Sequence, residues 1–201
     1  MALTDEIAAA AARRVVEDGM EYGPAKQKAA RTLGRRQLRS GDMPSNEAVE
    51  DEIRSYVELF LADTQPAELL ALRRVALMWM ERLEPFRPHL SGAAWRGTAT
   101  RQSAVHIDLY CDDPKSAEIA LLDKGVDFDV ATLERPGAEP VDVLTVATPC
   151  PELGEPVTVH LHVRDLDEQR GALKPDAQGR TWRGNAQALR RLLDAPAGAA
   201  S

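Results

Sequence analysis

The stretch LSGAAWRGTATRQSAVHIDLYCDD, residues 90 to 113, decides how the rest of the chain is read. It passes two glycines, Gly92 and Gly97, and then alternates, with Val105, Ile107 and Leu109 on one side and Ala104, His106, Asp108 and Tyr110 on the other. A period of two is that of a strand with one buried face, so the second set is expected to line an open face. The small residues ahead of it, Ser91, Gly92, Ala93 and Ala94, would let a ligand approach the backbone closely, because little side chain intrudes. Arg96, on the connection into this strand, has two readings: neutralising a phosphate, or tying its loop to Asp108 or Asp142.

Upstream the pattern is helical. Residues 4 to 18 form a first helix, capped by Thr4, with Asp5 and Glu6 at its positive end and Gly19 closing it. Pro24 opens a second as far as Leu33. The loop GRRQLRSGDMPS follows, and its Arg31, Arg35, Arg36 and Arg39 either grip phosphates or form a solvated connector. Ser45 caps a third helix whose apolar stripe is Val49, Ile53, Tyr56 and Phe60. A fourth, from Thr64 and Pro66 to about Leu83, is apolar almost all round, which predicts a buried spine; its Met78, Trp79 and Met80 read as core. Pro85 and Pro88 end it.

Downstream, Asp113 and Pro114 read as the cap and first residue of a helix that ends at Gly125. Strands are expected over 126–133, 141–146 and 157–163, with the turn RPGAEP between the first two. The segment RDLDEQRGALKPDAQGRTWRGN reads as loop. In it, Trp182 between Arg180 and Arg183 either stacks a base or pins the loop to the core. Asn185 caps a last helix to about Leu193. The whole is α+β, with a helical region over 1–85, an α/β domain over 86–195 and a tail over 196–201.

Bulk properties exclude several classes. A chain of 201 residues with 44% hydrophobic and 28% charged content can build a real core. The net charge of −7 speaks against a general nucleic-acid coat. Two cysteines, Cys111 and Cys150, without a CxxC spacing, point to a reducing compartment. With no signal-type or membrane-spanning run, the expected location is cytoplasmic. No Walker A loop, Gly-x-Ser-x-Gly elbow, HExxH or dinucleotide fingerprint occurs.

The order Gly92, Arg96-Gly97-Thr98-Ala99, Ser103 and then a strand resembles the signature of the nucleotidyltransferase-fold superfamily, its small stand-alone members above all. The resemblance covers about a third of the chain. It implies a small mixed β-sheet with flanking helices and a cleft for a nucleotide or a nucleic-acid end. Ala93 stands where the family has a phosphate-binding serine, Ala104 at the first metal-binding aspartate and His106 at the second. A methyl group cannot coordinate a hard cation.

Two readings follow. In the first, the carboxylates are degenerate and the remnant cleft binds a nucleotide, an RNA end or a protein partner, a second copy of the chain included. Its ligand-binding residues would be Ser91, Gly92, Arg96, Gly97, Thr98, Thr100 and Arg101, with Arg180 and Arg183 closing over them. In the second, a rebuilt site uses His106, Asp108 and Asp142 as catalytic and metal-binding residues, with Mg²⁺ or Mn²⁺ as cofactor only in that active form. A third arrangement, a zinc site, would need His106, His160 and His162 to converge from two strands. Polar-face histidines on an exposed sheet are its alternative.

Overall fold

The computed structural model describes residues 3–34, 42–135, 139–171, 174–175 and 179–195. Arg35, Arg36 and Arg39 of the basic loop, residues 136–138 of the turn and the tail over 196–201 lie outside the described residues. The chain forms two compact units: Met1–Leu69 with Thr98–Ser103, and Leu70–Gly97 with Ala104–Ser201. The division falls inside the fourth helix, at Leu69 and Leu70.

The first unit is helical. Helix α1 (Leu3–Asp18) packs with α2 (Tyr22–Thr32) and α3 (Asn46–Phe60) around Ile7, Ala11, Val15, Ala25, Ala29, Val49 and Ile53. Ser45 caps α3 as expected, its Oγ accepting from the Ala48 N–H at 3.1 Å. The α3 stripe stops short: Phe60 is 67% exposed, its ring centroid 4.8 Å from that of Tyr56. Residues 98–103 are bound into this unit, with Gln65 Nε2 donating to the Ala99 carbonyl and Glu68 accepting from the Arg101 N–H.

The second unit carries a six-stranded mixed sheet in the order β3–β4–β5–β2–β1–β6. The strands are β1 (His89–Ser91), β2 (Val105–Cys111), β3 (Asp129–Leu133), β4 (Val141–Cys150), β5 (Glu155–Asp165) and β6 (Arg183–Asn185). Among the described residues, only β2 and β5 run parallel. Val105, Ile107 and Leu109 lie in register with Val159, Leu161 and Val163, and next to these stand Leu144 and Val146, all buried. This is the apolar face that the alternation predicts. Helix α4 (Gln65–Arg82) meets it, Trp79 Nε1 donating to Thr148 Oγ1 at 2.8 Å. Its apolar girdle is not wholly covered: Leu70 and Met78 are more than a third exposed. Asp113 caps α6 (Lys115–Asp123), its Oδ1 accepting from the Lys115 N–H at 3.0 Å. Asn185 caps α7 (Ala186–Asp194) in the same way. Strands β1 and β6 have three residues each, too short for a periodic pattern to announce. Among the described residues, no helix is long and apolar enough to cross a membrane.

Candidate functional site

The site is built on the turn from β1 into β2. Gly92 has φ +65°, and a Cβ placed there would sit 3.3 Å from the His106 ring. The close approach that the small residues allow is therefore made by His106. From Gly92 the chain makes a single turn, α5 (Gly92–Arg96), closed by Gly97 at φ +84°. Arg73 of α4 ties its end down: Nε donates to the Ala94 carbonyl at 2.9 Å and an Nη to that of Trp95 at 3.3 Å. Trp95 Nε1 donates to the Thr181 carbonyl at 2.9 Å, and its ring fills the space where Gly184 lacks a side chain. The Arg96 guanidinium lies 4.2 Å above the Trp182 ring. Such a stack also occupies that face of the tryptophan.

Beside this turn, the pleat gathers four titratable groups on one face. His106 pairs across the ladder with His160, and Asp108 with His162. His106 Nδ1 and His162 Nε2 lie 3.0 Å apart, one donating to the other, and the His106 ring centroid is 5.1 Å from that of His160. His160 Nδ1 meets Thr145 Oγ1 at 2.9 Å. Burial pushes the His162 imidazole down to about 4, with the neighbouring His106 adding to the effect. All three histidines therefore converge on one face, as the third arrangement requires. Among the described residues, however, no group of three or more His, Cys, Asp or Glu side chains is arranged to hold a metal ion.

The expected open face is closed at its other end, where Asp108 and Tyr110 are each 1% exposed. Two guanidinium groups cover the carboxylate: Arg164 Nε donates to Oδ1 at 2.5 Å, and an Arg183 Nη lies 3.2 Å from Oδ2. The same Arg183 nitrogen donates to the Tyr110 hydroxyl at 2.9 Å. Arg164 extends to Glu168, which Arg135 holds in a bidentate pair at 2.9 Å for each bond. These hydrogen bonds from Arg135 keep the Glu168 carboxyl below the usual carboxylate range.

The structure separates other expected partners. Asp142 pairs with Val163 and Val143 with His162, so Asp142 points to the face opposite Asp108; its Oδ1 accepts from Thr132. The residues present therefore do not fit a three-ligand Mg²⁺ or Mn²⁺ site. Asp142 is on the wrong face, Asp108 is engaged by two cations, and position 104 is a methyl group. Thr98, Thr100 and Arg101 belong to the first unit, with both threonines buried, while Ser91, Gly92, Arg96, Gly97, Arg180 and Arg183 belong to the second. Ser91 Oγ donates to the His106 carbonyl, and Arg180 stands partly buried ahead of β6. Arg164 escaped the sequence reading, although continuing the β5 alternation from His160 and His162 by two residues leads to it. Burial pushes the Cys111 thiol up.

No family model matches the chain, and no curated protein does. Among solved structures, the Cid1 poly(U) polymerase with the UTP analogue UMPNPP matches at 13% identity and a TM-score of 0.35, over 57% of this chain and 36% of that one. A cytoplasmic RNA terminal U-transferase matches at 14%, with a TM-score of 0.35 and the same coverage. The Cid1 complex with its short product ApU gives 14%, 0.36, and 55% and 35%. This chain thus spans little more than a third of their length.

Proposed function

We propose that the second unit is a nucleotidyltransferase-like fold that binds without metal-dependent transfer, holding a nucleotide or the phosphate-bearing end of an RNA against the His106, His160 and His162 face. What carries this reading is a pair of unsatisfied polar atoms beside that face. His162 Nδ1 and Arg183 Nε are buried and make no hydrogen bond among the described residues, while Asp108 Oδ2 is held by the Arg183 ion pair at 3.2 Å. Buried polar atoms are nearly always partnered, so two in one neighbourhood fit a site that a polar ligand completes. The Gly92 turn, which approaches His106, matches the segment that carries the sequence resemblance. The engagement of Asp108 and the orientation of Asp142 argue against the rebuilt metal site.

A thermal-shift series with ATP, GTP, CTP, UTP and a short RNA, each with and without Mg²⁺ or Mn²⁺, tests this. One ligand should raise Tm with no metal added, and His160→Ala should remove the shift. At a hundred times its Kd, a ligand adds about 2.7 kcal/mol, several degrees for a chain of this size. Nucleotide transfer in the presence of Mg²⁺ or Mn²⁺, lost in Asp108→Ala, would overturn the reading in favour of an active transferase.

A further inference from the structure

Among the described residues, Arg87 is the only non-glycine with a positive φ, +49°. It closes the 3₁₀ turn Glu84–Phe86, its N–H donating to the Glu84 carbonyl at 3.0 Å, and its own carbonyl accepts from His89 Nδ1 at 2.8 Å. Glycine adopts that conformation freely, whereas an L side chain is strained in it. The backbone gives no reason for arginine here, and what arginine adds over glycine at this position is its guanidinium. That side chain borders three cavities, one of which carries Asp112 and Asp113, and it donates to Gln169 Oε1, which lines the other two, at 3.1 Å.

Those two cavities differ in chemistry. One, about 560 Å³, is walled by Met80, Pro88 and Ala186 with His89, Asn185 and Gln187 among them, and by the charged Glu81, Glu84, Arg87 and Arg190, of which Glu81 and Arg190 pair at 2.7 Å. The carbonyl that His89 Nδ1 meets can only accept, so the proton sits on Nδ1 and Nε2 is left as an acceptor. The other, about 640 Å³, sets Arg87, Arg170 and Lys174 against Asp167 among its described lining residues. That excess of cations among the described lining residues favours an anionic ligand. The guanidinium forks also match phosphate oxygens.

We propose that Arg87 anchors a second ligand site, independent of the His106 face, which takes a phosphomonoester: the phosphate between Arg87, Arg170 and Lys174, and the organic body in the cavity of Met80, His89 and Asn185. The volumes lie in the range of small-molecule sites.

Calorimetric titration of the full chain with ribose 5-phosphate, inorganic phosphate and ribose tests the proposal. Ribose 5-phosphate should bind, phosphate more weakly, and ribose not at all. Arg87→Gly should raise Tm by releasing the strain while weakening ribose 5-phosphate about ten- to a hundred-fold. The Arg170→Ala, Lys174→Ala pair should weaken it as well. Unchanged affinity in Arg87→Gly, or no binding of ribose 5-phosphate to the native chain, overturns the site. So does a fall in Tm accompanying the loss of binding, which would make Arg87 a structural strut. Binding lost in His160→Ala but kept in Arg87→Gly would also overturn it, while leaving the His106 face as the binding surface.

Discussion

Asp108 illustrates how a strand residue can carry the right chemistry and still be unavailable. A carboxylate 1% exposed cannot stay charged without compensation, and Arg164 and Arg183 provide it. Removing the acid strands both guanidinium groups, so Asp108→Ala should lower stability by about 3–5 kcal/mol in denaturant titrations. His162 gives a pH-dependent counterpart. Its imidazole falls from 6.5 in the unfolded chain to about 4 in the fold, so between those values the unfolded state holds more protons. Stability should therefore be complete above pH 6.5 and lost as pH falls toward 4, by about 3 kcal/mol. Urea midpoints between pH 4 and 7.5 should show that slope, and His162→Gln should flatten it. Burial lowers His89 in the same direction, so part of the slope should survive that substitution.

At the scale of elements, the turn through α5 is held by packing rather than by its own hydrogen bonds, since five residues make barely one helical turn. Trp95 against Gly184 is its tightest contact. A Cβ on Gly184 would fall 2.0 Å from the indole, and neither a short strand nor a ring fixed through Nε1 can move aside cheaply. Gly184→Ala should cost about 1–3 kcal/mol and quench or shift the Trp95 fluorescence signal. The α7 cap is more forgiving: Asn185→Ala should cost about 1 kcal/mol by thermal melt, because one N–H is exposed to solvent in place of its side-chain partner. These elements were unequally legible. Helix caps and the β2 period appear in the sequence because local chemistry sets them. Strands of three residues such as β1 and β6 exist only because neighbouring backbone completes their hydrogen bonds.

For the whole molecule, each unit has its own interior, and the two differ in kind. The first relies on Ala8, Ala11, Ala12, Ala25, Ala29 and Ala30, which bury little apolar area each; the second buries Leu, Ile and Val across β2, β4 and β5. Amide hydrogen exchange should accordingly be slowest in β2 and β5 and faster throughout α1–α3. The sequence by itself determined the α+β class, most helix bounds and the apolar face of the sheet, because period and capping are properties of neighbours along the chain. It also brought out His106, Asp108, His160 and His162 as residues of polar alternation. Only the tertiary structure decided that Asp142 faces away from them, that Asp108 is covered by two arginines, and that Thr98 and Arg101 belong with the helices. Strand register, and the side chains brought in from distant segments to neutralise a buried charge, depend on contacts between residues far apart in sequence, and no local pattern encodes them.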